Sequence, residues 1–151
     1  MGQQTIDSRQ LLVYIYDQLL ARGTPPTSSE IAEHFDTTPD EALRALGEMN
    51  VGKTMLPNPR TGEIWMAGPF SAVPTPYEVS AGGVQWWANC AWDMLGIPVV
   101  ARRAVHIDAH CTDCGEPMTF DVDPMQQSIG AEGVVHFLVP ARRWYEDIGF
   151  T

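Results

Sequence analysis

Apolar positions in the first fifty residues recur at intervals of three and four, the period of a helix with one buried face. Leu11, Leu12, Ile15, Leu19 and Leu20 share such a face; Asp7 or Ser8 stands at its N-cap, and Gly23 lies just past its end. Thr24-Pro25-Pro26 is a break, and Thr27-Ser28-Ser29-Glu30 is a capping-box pattern opening a short helix with Ile31, Ala32 and Phe35 inward. Thr38-Pro39-Asp40-Glu41 repeats the signal with proline in the first helical position. It opens a third helix through Met49 that turns Ala42, Leu43, Ala45, Leu46 and Met49 inward. The period then changes. Lys53–Leu56 and Glu63–Ala67 are predicted strands around the loop Pro57-Asn58-Pro59-Arg60-Thr61-Gly62.

Three helices and a two-stranded wing follow the winged-helix plan, whose usual partner is DNA. The third helix here carries Asp40, Glu41 and Glu48 against Arg44. Acids also outnumber bases over residues 1–68 and over the whole chain, whose net charge is −10. Phosphate contacts need Lys and Arg, so no nucleic-acid partner is expected. Such a unit serves better as a lid or packing domain. Pro69–Pro76 is punctuated by proline and marks the expected boundary between domains at 1–68 and 69–151.

Beyond the boundary, Tyr77–Ser80 is a predicted strand. Val84–Leu95 (VQWWANCAWDML), an apolar stretch between turn signals, is predicted as a buried central helix. Strands are predicted within Val99–Ala109, at Thr119–Val122 and at Val134–Val139, with a helical turn at Ala141–Ile148. The expected fold is α+β: a three-helix winged-helix-like domain, then a β-rich domain holding the central helix.

With 44% hydrophobic residues and 5 Trp the composition is that of a globular chain. No apolar run approaches the ~20 residues of a membrane span, and no signal-peptide pattern opens the sequence. Three cysteines do not form a paired secretory framework, so a reduced, cytoplasmic setting is expected.

Residues three apart on a helix share a face. Cys90 and Asp93 would then set a thiol beside a carboxyl among Trp86, Trp87 and Trp92, an apolar wall able to take an alkyl or aryl group. A soft nucleophile beside an acid suits catalysis; a small core cysteine and a capping aspartate explain the same letters. Cys111-Thr112-Asp113-Cys114-Gly115 is a CxxC turn able to grip a thiophilic metal. A structural zinc there would need four ligands, and no second CxxC exists. Two reduced thiols or a redox-labile pair remain open. His106, Asp108 and His110 alternate along one strand face, which a solvated face explains. No phosphate loop, GxSxG elbow or HExxH motif occurs.

Taken in order, Gly68-Pro69-Phe70-Ser71, Pro74-Thr75-Pro76-Tyr77, WWANCAWDMLGIP at Trp86–Pro98, His110-Cys111, Gly115-Glu116-Pro117 and Leu138-Val139-Pro140 resemble the organomercurial (alkylmercury) lyase family. The resemblance runs from about Pro25 to the end of the chain. It implies protonolysis of carbon–mercury bonds: thiolates bind the mercury of an organomercurial substrate, and an aspartate delivers a proton to the departing carbon. Mercury(II) then remains on sulfur for transfer to small thiols or a dithiol acceptor, with no other cofactor required. By the match Cys90 is a mercury ligand and Asp93 the proton carrier. Cys111 aligns with a cysteine regarded as structural, and Cys114 is an added thiol. The family's second catalytic cysteine follows the Val-Pro strand and a phenylalanine, where this sequence has Phe150 and ends at Thr151. A truncated member is therefore expected, either a reading frame that ends early or a natural short form, with cleavage impaired without the second cysteine. One hypothesis places a selenocysteine codon read as a stop at the next position, which a genomic sequence with an ordinary stop and no homology downstream would sink. Two readings of other classes stand beside the lyase. One is a non-catalytic soft-metal or mercury binder using Cys90, Cys111 and Cys114; the other is an acidic winged-helix interaction module or regulator.

Overall fold

A computed structural model of the chain describes residues 6–49 and 55–149. Asp7 caps α1 (Ser8–Arg22) by accepting the N–H groups of Arg9 and Gln10, and Gly23 closes it in the left-handed region. Leu11, Ile15 and Leu19 are its buried stripe. Thr27 and Glu30 form the reciprocal capping box of α2 (Ser28–His34). Arg22 clamps Glu30 from α1, which holds that carboxyl down at about 2. Helix α3 (Pro39–Met49) starts the same way, with the Glu41 N–H donating to Thr38 Oγ1 and the Thr38 N–H to the Glu41 carboxylate.

Strands β1 (Met55–Pro57) and β2 (Ile64–Ala67) pair across the expected loop; Lys53 and Thr54, the start of the first predicted strand, lie outside the described residues. This hairpin is the outer part of one antiparallel sheet with β3 (Phe70–Ser71), β4 (Tyr77–Ala81), β5 (Val84–Ala88), β6 (Val105–His110), β7 (Pro117–Asp123) and β8 (Ser128–Ile129). Among the described residues the order is β1-β2-β3-β5-β4-β6-β7-β8. Pairing of β2 with β3 carries the sheet across the Gly68–Pro69 joint. Register and alternation put Trp86, Val79, Ile107 and Phe120 on one buried face, and Gln85, His106, Asp108 and Asp121 on the other, which is solvated. Helices α1 and α4 (Ala91–Ala101) pack on the sheet beside that core. The molecule is a mixed helix and antiparallel-sheet protein.

The tie between α1 and β5 is specific. Trp86 Nε1 donates to the Leu19 carbonyl at 2.7 Å, and the Arg103 guanidinium lies 5.0 Å from the centre of its ring. A Cβ on Gly23 would come within 2.0 Å of the Gln85 carbonyl oxygen, at a φ of +84°. Glycine is required there twice over, for its conformation and for the close approach.

Three predicted elements need correction. Val84–Leu95 is not one helix. Gly82 and Gly83, both at positive φ, form a two-residue turn between the paired Ala81 and Val84. That turn commits Val84–Ala88 to a strand, because its twist matches the hairpin. The predicted strand Val99–Ala109 is helical as far as Ala101, since α4 carries Pro98 inside it with Ile97 and Pro98 buried. Arg102 ends the helix at φ 52°, and only then does β6 begin. Val134–Val139 forms no strand: Val134 is 92% and Leu138 80% exposed. β-propensity acts only where an edge offers partners; here β8 pairs the end of β7, and Val139 instead accepts from Trp144 Nε1 at 2.8 Å. The turn predicted at Ala141–Ile148 is a 3₁₀ helix over Ala141–Glu146.

Candidate active site

Cys90 sits in the link between β5 and α4, as the N-cap of the helix and not within it. Its carbonyl accepts the Met94 N–H at 3.1 Å, so the helix starts on it. Asp93, in the first turn, still lies beside Cys90, close enough for its charge to act on the thiol. Both side chains are partly buried. Burial pushes the Cys90 thiol above its ordinary range, and the Asp93 charge pushes it further. The first-turn N–H groups of Asp93 and Trp92 pull the other way without forming a side-chain cap. Burial likewise raises the Asp93 pKa, opposed by the Asn89 amide and by the thiol. A proton is therefore held between sulfur and carboxyl more readily than in water.

Residues from far along the chain complete the setting. Tyr16 of α1 donates to the Gly68 carbonyl at 2.5 Å, and Asp93 is near enough to add its charge to the burial that raises the Tyr16 pKa. The Asn89 N–H donates to the Pro69 carbonyl at 3.2 Å, beyond the cis Gly68–Pro69 peptide. Asn89 Oδ1 is buried without a hydrogen-bond partner among the described residues. Tyr16 and Asn89 both escaped the sequence reading. Asn89 adjoins Cys90 and could have been found; Tyr16 carries no local signal.

The tryptophans do not gather as expected. Trp86 and Trp87 alternate on a strand, so Trp86 enters the core while Trp87 faces away. Trp92 is 59% exposed and, with Phe137, Leu138, Val139, Pro140, Ala141 and Trp144, lines a cavity of about 540 Å³.

Cys111 follows β6, and Cys114 lies three residues further along the turn leading to β7. Tyr77 pairs with Ala109 and Glu78 with Trp87, so Cys90 and Cys111 emerge at the same end of the sheet with β4 between them. Two strand spacings separate their strands, roughly 10 Å. Among the described residues no three His, Cys, Asp or Glu side chains stand together to hold a metal ion. Cys90, Cys111 and Cys114 are thus not gathered around one centre. The turn is self-contained: the Cys111 carbonyl accepts the Gly115 N–H at 2.8 Å, and its own N–H donates to the Glu116 carbonyl at 2.9 Å. The N–H groups of Cys114 and Asp113, then the Cys114 thiol, are aimed at the Cys111 sulfur and lower its pKa. His106 faces solvent as expected, with Nδ1 2.9 Å from Asp121 Oδ1.

A mixed helix–sheet protein with a thiol and an acid paired where a strand meets a helix is what fold and site define together. The alkylmercury lyase family model matches residues 70–150, and the chain belongs to that family. It is 34% identical over 114 residues to the alkylmercury lyase of Streptomyces lividans, covering 72% of this chain and 48% of that protein. It is 28% identical over 107 residues to that of Staphylococcus epidermidis, covering 71% of this chain and 47% of that protein. The chain thus spans about half the length of these curated relatives. A solved structure of the mercury-bound form of MerB2 superposes with a TM-score of 0.59 at 21% identity, over 76% of this chain and 55% of that one. Among the described residues no helix is long and apolar enough to cross a membrane.

Proposed function

We propose that this chain is an organomercurial-lyase-like protein that protonolyses carbon–mercury bonds, with Cys90 as mercury ligand and Asp93 as proton carrier. The observation that supports this best is a thiol held next to a partly buried carboxyl, close enough for each to shift the other, within a chain of this family. The Cys90 thiol passes its proton to Asp93 as sulfur bonds to the mercury of the organomercurial. Asp93 then returns that proton to carbon as the carbon–mercury bond breaks. The electron pair of that bond goes to the new C–H bond, and mercury(II) stays on sulfur. Mercury is soft and favours thiolate; a carboxyl with a raised pKa is a better proton donor at neutral pH.

A second ligand to mercury comes from a small thiol in solution. Product mercury(II) leaves by exchange onto small thiols or a dithiol. Reduced thiols of this kind suit a cytoplasmic setting. Residues 1–68 act as a winged-helix-like packing unit, with residues 69–151 carrying the chemistry; the Trp86 indole of the second unit, donating to the Leu19 carbonyl of the first, joins the two. Neither zinc nor another resident cofactor is needed for these steps. Sequestration by all three cysteines has less support, since they are not gathered together.

The test is incubation with phenylmercury and excess small thiol, following benzene. Release that disappears in Asp93→Asn supports the lyase reading. Mercury bound at stoichiometry without benzene would overturn it for this chain.

A further inference from the structure

We propose that the Cys111–Cys114 turn is a separate two-thiolate site for a soft cation that accepts linear coordination, mercury(II) being the clearest case. The two thiols stand three residues apart in one turn that local hydrogen bonds already hold: Gly115 N–H to the Cys111 carbonyl at 2.8 Å, and Cys111 N–H to the Glu116 carbonyl at 2.9 Å. Gly115 supplies the left-handed conformation, φ +73°, that turns the chain toward β7. Cys114 is exposed and Cys111 half-buried, so an incoming ion reaches both. No third ligand stands beside them among the described residues. That absence sets the preference: zinc seeks four ligands, whereas a linear thiophilic ion is complete with two. Asp113 and Glu116 add negative charge next to the pair.

Loading is ligand exchange without oxidation. Mercury(II) arrives as a bis-thiolate complex of a small monothiol, two new sulfur–mercury bonds form, and two break. Each departing small thiolate takes up the proton released by Cys111 or Cys114. Holding both thiols in one turn makes the second bond intramolecular, and effective concentration is then worth roughly 10²–10⁴ in retention over a single thiol.

The experiment is equilibrium dialysis of the full chain against mercury(II) chloride in excess monothiol, reading bound mercury and the sulfur-to-mercury charge-transfer absorption. Cys90→Ser is expected to keep one tight equivalent per chain. Cys111→Ser and Cys114→Ser are each expected to lose retention by roughly 10²–10⁴. Cys114→Ala, at an exposed position, repeats the test with far-UV dichroism checking that the chain stays folded. Retention unchanged in those variants, loss of all retention in Cys90→Ser, or equally tight zinc would overturn the proposal. So would a Cys111–Cys114 disulfide persisting under the reductant. The probe is inorganic, so the outcome is independent of whether the chain cleaves carbon–mercury bonds.

Discussion

Cys90 and Cys111 leave the same end of one sheet, two strands apart, into opposite surroundings. The Cys90 environment is assembled from distant pieces: Tyr16 of α1, the Gly68–Pro69 joint, Asn89 and the first turn of α4. The Cys111–Cys114 turn is made from its own six residues. Burial and a neighbouring acid hold the first thiol protonated, while local N–H groups favour the thiolate of the second. On the proposed reading, one sulfur is coupled to a proton carrier and the other exchanges ligands. Reactivity here follows placement, not residue type.

The sharpest way to break this contrast is Cys90→Ser, which should reduce benzene release from phenylmercury to the uncatalysed background. Asp93→Asn should lower release by roughly 10²–10⁴, the usual worth of a positioned proton donor, with phenylmercury still bound. The same variant tests the electrostatics. Removing the Asp93 charge lets Cys90 alkylate at lower pH, whereas the pH profile of Cys111 stays below the ordinary thiol range in both proteins.

Stability offers a second handle, because only one region depends on the α1–β5 tie. Trp86→Ala should cost about 3–5 kcal/mol in denaturant unfolding, with faster alkylation of Cys90 and little change at Cys114. The Asp93 pKa is raised by folding, so stability falls as pH climbs through and above the ordinary carboxyl range. Asp93→Asn should therefore melt higher than the parent at pH 7, a gain absent in acid where both side chains are neutral. The smallest effect belongs to Glu30, far from either thiol. Its lowered pKa, about 2, adds stability above the ordinary carboxyl range that is lost as pH falls toward 2. Its clamp with Arg22 is partly exposed, so Glu30→Gln should cost only a few tenths of a kcal/mol.

Local chemistry is legible in the sequence itself. Capping residues at Asp7, Thr27 and Thr38, the break at Thr24-Pro25-Pro26 and the helical stripe of α1 act within a turn of themselves, and all appear where the letters put them. So do the CxxC turn and the spacing that keeps Cys90 beside Asp93. Tertiary structure decided the rest. Whether VQWWA became strand or helix turned on the Gly82-Gly83 hairpin and on Trp86 finding the Leu19 carbonyl, 67 residues away in sequence. Val134–Val139 has the composition of a strand but pairs with no edge, and Val134 and Leu138 are left largely exposed. Tyr16 reached the site only through the packing of α1 on β5. Short-range hydrogen bonds and dihedral preferences are written into neighbouring residues; desolvation, edge pairing and the raised pKa values of Cys90 and Asp93 exist only once distant segments exclude water together.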